Sequence, residues 1–163
     1  VTYTSGTTGA PKGVCLSLKA MELVASSLLD VLGAEVAARH VCLLPLGVLL
    51  ENVAGVYTAL MAGATCHVQQ VAQEPVALAR AISEARATSC ILVPELLRML
   101  LAGGVPLTSL RFAAVGGAKM DLELLGKARA AGVPVFEGYG LSEACSVVAL
   151  NTPGAEKRGS VGK

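Results

Sequence analysis

The chain opens on the stretch Val1-Thr2-Tyr3-Thr4-Ser5-Gly6-Thr7-Thr8-Gly9-Ala10-Pro11-Lys12-Gly13-Val14, in which a short β-branched run leads into hydroxyls, glycines and one lysine. An oligophosphate needs many donors at short range and little side-chain bulk, which glycines and small hydroxylated residues supply together. A lysine adds a mobile positive charge. The stretch therefore predicts a phosphate-binding loop, with the candidate residues Thr4, Ser5, Gly6, Thr7, Thr8, Gly9 and Lys12.

This stretch has two alternative interpretations. A flexible surface loop has the same Ser/Thr/Gly composition. A Walker-type nucleotide loop needs G-x-x-x-x-G-K-[ST] before a helix, whereas Lys12 follows Pro11 and precedes Gly13-Val14. The Walker motif is therefore absent.

Composition limits the class of protein. The chain has 163 residues, of which 53% are hydrophobic and 15% charged, as expected for one globular domain with a substantial core. A formal net charge of +1 without a Lys/Arg run argues against nucleic acid as a partner. The most apolar stretch, residues 41–66, is interrupted by Pro45, Glu51 and Asn52, so we expect no transmembrane span, although peripheral contact with a membrane is compatible with the sequence. No export signal is visible, and we expect a cytoplasmic location.

The cysteines and histidines carry no recognisable catalytic pattern. The five cysteines form no C-x-x-C pair, which favours core thiols in a reducing compartment. His40 and His67 lie at the edges of strand-like runs without an evident partner in the sequence, and we interpret both as structural.

Short apolar strands alternate with helices along the chain. The predicted strands cover residues 14–16, 40–44, 65–68, 88–93, 112–115 and 133–136, and the predicted helices cover 17–32, 52–62, 75–86, 94–101 and 121–131. The helix at 52–62 is apolar almost all round, so we expect it to be buried between layers. The alternation predicts the α/β class, with a mostly parallel sheet flanked by helices.

Ligands of such sheets bind beyond the carboxyl ends of the strands, and two segments there have suitable chemistry. Gly116-Gly117-Ala118 follows a strand and could let a flat ring or acyl chain lie against the backbone. The segment from Glu137 to Glu143 follows the last predicted strand and combines an aromatic ring, a hydroxyl and a carboxylate. Taken singly, each segment could also be an ordinary turn.

Together these motifs resemble those of the adenylate-forming superfamily, which includes acyl-CoA synthetases, adenylation domains of peptide synthetases and luciferases. The matching residues are Tyr-Thr-Ser-Gly-Thr-Thr-Gly-x-Pro-Lys-Gly-Val at 3–14, Gly-Gly-Ala at 116–118 and Gly-Tyr-Gly-x-Ser-Glu at 138–143. The resemblance implies ATP, Mg²⁺ and coenzyme A as ligands. It implies that Tyr139 stacks on adenine, Ser142 contacts the α-phosphate and Glu143 helps to hold Mg²⁺, as part of a binding segment that also includes Gly138 and Gly140. The resemblance further implies that the catalytic residues are Lys12, Ser142 and Glu143.

Beyond Leu43-Leu44-Pro45-Leu46, which resembles the stretch leading into the acyl pocket, the chain departs from the family pattern. Gly47 and Val48 stand where the family usually has an aromatic residue and a histidine, and Leu18 is near the place of another common histidine. Both changes remove polar groups. Because residues 47–50 are apolar and no aspartate lies near the pocket motifs, we expect a medium- or long-chain fatty acid as substrate.

The resemblance also implies a fragment: residues 1–163 are expected to be part of an AMP-binding domain truncated at both ends. The family's ribose-binding aspartate, its hinge and the lysine of its small C-terminal domain come later in the chain. The primary hypothesis is ATP-dependent conversion of a carboxylic acid to acyl-AMP and then to acyl-CoA. The alternatives are transfer of the acyl group to a carrier protein and a non-catalytic nucleotide-binding module.

Overall fold

A computed structural model describes residues 1–4, 10–69 and 74–162. The strands are β1 (Thr2–Thr4), β2 (Lys12–Val14), β3 (Arg39–Cys42), β4 (Thr65–Val68), β5 (Ser89–Leu92), β6 (Phe112–Val115), β7 (Val135–Leu141) and β8 (Ser146–Leu150). The α-helices are α1 (Leu18–Leu32), α2 (Ala34–Ala37), α3 (Thr58–Met61), α4 (Pro75–Glu84), α5 (Pro94–Ala102) and α6 (Leu122–Ala130). A π-helix covers Leu50–Tyr57 and a short 3₁₀ turn covers Ser142–Ala144.

Six strands form one sheet in the order β4-β3-β5-β6-β7-β8. All neighbours run parallel except β7 and β8, which are antiparallel. Strands β1 and β2 form a separate antiparallel hairpin. The expected α/β class with a mostly parallel, helix-flanked sheet is confirmed.

Local sequence signals explain where several helices begin and end. Ser17 caps α1, because its side chain accepts from the Ala20 N–H, and Gly33 ends that helix with φ of 80°. Asp121 caps α6 by accepting from the Glu123 N–H. Helices α4 and α5 each begin with a proline, whose missing N–H costs nothing at that position.

Successive side chains of each strand point to opposite faces of the sheet. One face packs on α4, α5 and α6 to form the main core, to which the strands contribute Val41, Cys90, Leu92, Ala113, Val115 and Val135. Leu43, directly after β3, belongs to the same core. The π-helix lies over β3, β5 and β8, and α1 packs on the π-helix. The opposite face of the sheet therefore meets the π-helix and forms the floor of the cavity described below.

The segment predicted as a buried helix at 52–62 differs from expectation. It is a π-helix that continues into α3, and Leu60 at its end is 60% exposed. One side does pack inward, because Val53 and Ala59 are fully buried. Every helix within the described residues is too short or insufficiently apolar to span a bilayer.

Two strand assignments were also wrong. The strand predicted at 14–16 lies earlier, in the β1–β2 hairpin, whose register pairs Thr4 with Lys12. The last predicted strand does not stop at Phe136 but continues to Leu141, because β8 supplies an antiparallel ladder that the sequence analysis missed. Most of the segment read as a loop after that strand is therefore paired β structure.

Candidate active site

Two of the predicted phosphate-binding residues, Thr4 and Lys12, lie in the β1–β2 hairpin. The Thr4 hydroxyl donates to the Lys12 carbonyl oxygen at 3.5 Å, and the Lys12 side chain is exposed. Strand β1 contacts the 3₁₀ turn Ser142–Ala144. The structure thus brings Thr4 and Lys12 to the same region as the second motif, whereas Ser5, Gly6, Thr7, Thr8 and Gly9 lie outside the described residues.

The Gly116-Gly117-Ala118 segment follows β6 directly. Gly116 is buried, and its N–H donates to the Leu92 carbonyl oxygen at 3.1 Å. A Cβ at that position would lie 3.5 Å from the Gly138 carbonyl oxygen, so the two glycine motifs are neighbours. Gly117 has φ of 79°, which favours glycine. Ala118 is exposed and does not line the cavity described below.

The second motif, residues 138–143, forms the end of β7 and the start of the 3₁₀ turn. Tyr139 is 45% exposed, which leaves its ring accessible, Ser142 is half-buried and Glu143 is exposed. Gly140 is required for close packing, because a Cβ there would collide with the Ser146 carbonyl oxygen of β8. Directly after the 3₁₀ turn, Cys145 and Ser146 have φ of 63° and 98°, values that L-residues rarely adopt.

An apolar cavity of about 230 Å³ joins these elements. Its walls come from α1, the π-helix, the sheet face and β8. Six of the predicted site residues line it, namely Gly116, Gly117, Gly138, Tyr139, Gly140 and Ser142, whereas Thr4, Lys12, Ala118 and Glu143 do not. Of the polar side chains in the predicted motifs, the Ser142 hydroxyl and the Tyr139 phenol therefore belong to residues of the cavity lining.

A buried hydrogen-bonded pair underlies this cavity. His40 Nε2 donates to Glu51 Oε1 at 2.7 Å, and His40 Nδ1 lies 3.1 Å from Ser89 Oγ. Glu51 Oε2 accepts from the backbone N–H groups of Leu43 and Leu44, at 3.1 and 3.0 Å. No partner of His40 was evident in the sequence, because its partner comes from the π-helix eleven residues later. His67 also has a partner, since Arg39 Nη2 lies 2.9 Å from its Nε2.

His40, Cys42 and Glu51 bring a nitrogen, a sulfur and an oxygen atom within 4.8 Å of one another. Their geometry is that of hydrogen bonding and not of a metal centre. Two ligands that lie about 2.0–2.2 Å from one zinc ion would be about 3.3 Å apart, whereas the nitrogen and oxygen are 2.7 Å apart. Burial and the neighbouring Glu51 carboxylate raise the pKa of the Cys42 thiol, which disfavours the thiolate that a metal needs.

The cysteines within the described residues are unbridged. Cys42, Cys90 and Cys145 are buried, as expected for core thiols, but Cys15 is exposed and Cys66 half-buried. Cys42 Sγ and Cys66 Sγ approach to 3.4 Å across the β3–β4 pair. Burial raises the pKa of the Cys66 thiol as well.

Two contributions from the last part of the described chain were not predicted from the sequence. Asn151 donates to the carbonyl oxygens of Glu137 and Ser160 and accepts from the Lys157 N–H, which fixes the chain after β8. Ser146 lines the cavity. The apolar run Val147-Val148-Ala149-Leu150 was the available signal for β8, but nothing in the sequence indicates the positive φ at Ser146.

The described residues fit ATP and Mg²⁺ chemically. The exposed Tyr139 ring and the side-chain-free Gly116 leave a surface against which a flat base can lie. The Thr4 and Ser142 hydroxyls and the Lys12 ammonium are donors suited to phosphate. The exposed Glu143 carboxylate is the hard oxygen ligand that Mg²⁺ prefers.

A mostly parallel sheet with these glycine, hydroxyl and carboxylate motifs is typical of nucleotide-binding α/β proteins. The family model described as AMP-binding enzyme matches residues 1–163, the whole chain. The chain therefore belongs to the family of AMP-binding enzymes.

Known proteins resemble the chain along nearly all of its length. It is 34% identical to an indoleacetate–CoA ligase of Aromatoleum aromaticum, over 100% of the chain and 33% of that protein. It is 33% identical to a long-chain-fatty-acid–CoA ligase of Thermus thermophilus, over 91% of the chain and 28% of that protein. The solved structure of O-succinylbenzoate coenzyme A synthetase from Bacillus subtilis, in complex with ATP and magnesium ion, superposes with a TM-score of 0.87 and 30% identity, over 99% of the chain and 34% of that protein. The chain spans about a third of the length of these relatives.

Proposed function

We propose that the chain provides the adenylate-forming site of an ATP-dependent carboxylic acid–CoA ligase. The proposal rests on one observation. Strand β1 of the hairpin contacts the Ser142–Ala144 turn, and Ser142 of that turn lines the apolar cavity. Membership of the AMP-binding family supports the proposal. So does the fact that the relatives named above are CoA ligases.

In the first half-reaction a carboxylate oxygen of the acid attacks the α-phosphorus of ATP. A new oxygen–phosphorus bond forms as the bond to the β-phosphate bridging oxygen breaks, giving acyl-AMP and pyrophosphate. Lys12 would hold the departing pyrophosphate, and the Ser142 hydroxyl would donate to an α-phosphoryl oxygen. Tyr139 would orient the base. Glu143 would hold Mg²⁺, which neutralises phosphate charge when bound.

The acid is proposed to be aromatic. The apolar residues 47–50 predicted a fatty acid, and three of them, Val48, Leu49 and Leu50, line the cavity. The cavity also has an aromatic wall, because Phe112 lines it and stacks on Phe136 with ring centroids 5.0 Å apart. Indoleacetate and O-succinylbenzoate, named for two of the relatives, are aromatic acids. A fatty acid is the second candidate, supported by the Thermus thermophilus relative.

Coenzyme A is proposed as the acceptor, since the relatives are CoA ligases. Its thiol would displace AMP from acyl-AMP to give the thioester. A carrier protein as acceptor and a non-catalytic nucleotide-binding module remain the competing hypotheses.

The test is ATP–pyrophosphate exchange by the full-length protein with a panel of aryl and fatty acids, followed by mass spectrometry of products with coenzyme A added. We expect acid-dependent exchange that is strongest with an aryl acid, and an acyl-CoA product. Exchange without any thioester would favour a carrier protein. Nucleotide binding without exchange for any acid would contradict ligase activity and favour the binding module.

A further inference from the structure

A polar pair lies at one end of the cavity. Ser89 and His40 both line the cavity, and Ser89 Oγ lies 3.1 Å from His40 Nδ1. Both residues are buried. Ser89 begins β5 and His40 is the second residue of β3, so both lie at the amino ends of the parallel strands.

The glycine motifs lie at the opposite end of the cavity. Gly116 directly follows β6, and its N–H donates to the carbonyl oxygen of Leu92, the last residue of β5. A strand advances by about 3.3 Å per residue, so Ser89 lies about 10 Å from Leu92 along β5. An acid whose carboxylate lies at the nucleotide motifs therefore meets Ser89 only with the end remote from that carboxylate.

The hydrogen bonds of Glu51 determine which nitrogen of His40 carries the proton. Glu51 Oε2 accepts from the backbone N–H groups of Leu43 and Leu44, so this carboxylate acts as an acceptor. Its other oxygen, 2.7 Å from His40 Nε2, accepts the ring proton. In a neutral imidazole one nitrogen donates and the other accepts, so Nδ1 is the acceptor. The Ser89 hydroxyl therefore donates to His40 Nδ1.

This network leaves the Ser89 hydroxyl with lone pairs only. A serine hydroxyl has one proton and two acceptor lone pairs, and the proton is already used on His40. Ser89 can thus accept a hydrogen bond from a ligand but cannot donate one. The lining formed by the described residues contains no Lys, Arg, Asp or Glu, which suits a neutral donor at this end of the cavity.

We propose that Ser89 is a specificity-determining residue that selects carboxylic acids carrying a neutral N–H or O–H donor at the end remote from the carboxylate. His40 and Glu51 are positioning residues, because they set the direction of the Ser89 hydrogen bond. The inference rests on the proposed function and narrows its substrate class. An acid with an acceptor in that place brings two acceptors together and leaves both unpaired, so it is activated less efficiently.

The test compares donor and acceptor forms of the same acid in ATP–pyrophosphate exchange by the full-length protein. Indole-3-acetate, indole-3-propionate and indole-3-butyrate are each paired with the benzofuran acid in which a ring oxygen replaces the N–H. At the chain length that brings the N–H to Ser89, we expect the wild type to prefer the indole acid by about three- to tenfold in kcat/KM, the range of one neutral hydrogen bond. In Ser89→Ala that preference should disappear.

Glu51→Gln tests the direction of the network. The glutamine carbonyl oxygen can still accept from the Leu43 and Leu44 N–H groups, while its amide donates to His40 Nε2. The imidazole proton then lies on Nδ1 and is donated to Ser89, whose own proton becomes available to the ligand. The preference should therefore shift towards the benzofuran acid. A purely structural role of Glu51 would instead lower the rate with both acids and leave their ratio unchanged.

Two further variants keep the result interpretable. Ser89→Cys replaces Ser89→Ala if circular dichroism shows that the latter is unfolded, because a thiol sulfur is only a weak acceptor. Ser27→Ala removes an exposed hydroxyl on α1 that bonds to the Leu23 carbonyl oxygen, and it should retain the wild-type preference.

Three results would overturn the inference. They are a wild type that discriminates no pair, a preference that survives in the folded Ser89 variant, and a folded Glu51→Gln that keeps the wild-type ratio. If Glu51→Gln does not fold, the Ser89 variants decide. Absence of exchange with every acid would overturn the proposed function itself.

Discussion

His40 Nε2 and Glu51 Oε1 lie 2.7 Å apart in the interior, and their hydrogen bond joins β3 to the π-helix. The same carboxylate accepts from the N–H groups of Leu43 and Leu44, so one side chain satisfies three donors. Gly55 packs directly on the pair, because a Cβ at that position would overlap both side chains. This arrangement fixes the wall of the cavity.

Removing Glu51 should therefore be severely destabilising. Glu51→Leu leaves an imidazole and two backbone N–H groups unpaired in the interior, and we expect the free energy of unfolding to fall by about 3–5 kcal/mol. Glu95→Leu is the control, because Glu95 pairs with Arg98 on an exposed surface and its loss should cost less than about 1 kcal/mol. Urea titration of both variants measures the difference, and equal losses would refute the structural role of Glu51.

Gly140 tests the close contact between β7 and β8. Gly140→Ala places a methyl group against the Ser146 carbonyl oxygen at a β-bulge, and we expect a loss of about 1–3 kcal/mol together with weaker nucleotide binding. Gly126→Ala is the matched control, since Gly126 lies within α6 with open space around its Cβ position. That change should stabilise the protein by about 0.5–1 kcal/mol. A neutral Gly140→Ala would show that the strands can separate without cost.

Lys12 tests the phosphate site. Lys12 is exposed on β2, so Lys12→Ala should leave the melting temperature unchanged while kcat/KM for ATP falls about ten- to a hundredfold, the range of one charge-assisted hydrogen bond. Lys19→Ala removes an exposed lysine from α1 and should not affect ATP use. Steady-state kinetics with MgATP measure both variants. An unchanged kcat/KM for ATP in Lys12→Ala would show that Lys12 does not bind the phosphates.

Glu143 tests the magnesium assignment. Glu143→Gln replaces a carboxylate with a weaker amide ligand, so we expect a lower rate at limiting Mg²⁺ that recovers in part at saturating Mg²⁺. Glu123→Gln changes an exposed glutamate that pairs with Lys127 on α6 and should match the wild type. Rates measured across a magnesium titration provide the comparison. Identical magnesium dependence in Glu143→Gln and wild type would exclude Glu143 as a ligand.

The sequence predicted most of the sheet because its signals are local. The helix starts at Ser17 and Asp121, and the short apolar runs of the parallel strands, depend on a few neighbouring residues and were predicted correctly. The motif residues Tyr139 and Ser142 were identified by resemblance, and the structure places both on the cavity.

The remaining features depend on contacts between distant segments. The partner of His40 comes from the π-helix and Ser89, and the extension of β7 depends on pairing with β8. No local pattern at Ser146 indicates a positive φ or an unpaired hydroxyl, because both arise from how β8 packs after the Ser142–Ala144 turn. Such features become visible only when the chain is folded.

The central claim, that a carboxylate attacks the α-phosphorus of ATP at this site, is tested most directly by isotope transfer. The full-length protein is incubated with an acid labelled with oxygen-18 in its carboxylate, together with MgATP and coenzyme A, and the AMP is analysed by mass spectrometry. We expect one labelled oxygen in the AMP, because the bond formed in acyl-AMP joins the acid's oxygen to phosphorus and thioester formation leaves that oxygen on AMP. Unlabelled AMP, or label found in inorganic phosphate with ADP as the other product, would contradict the account.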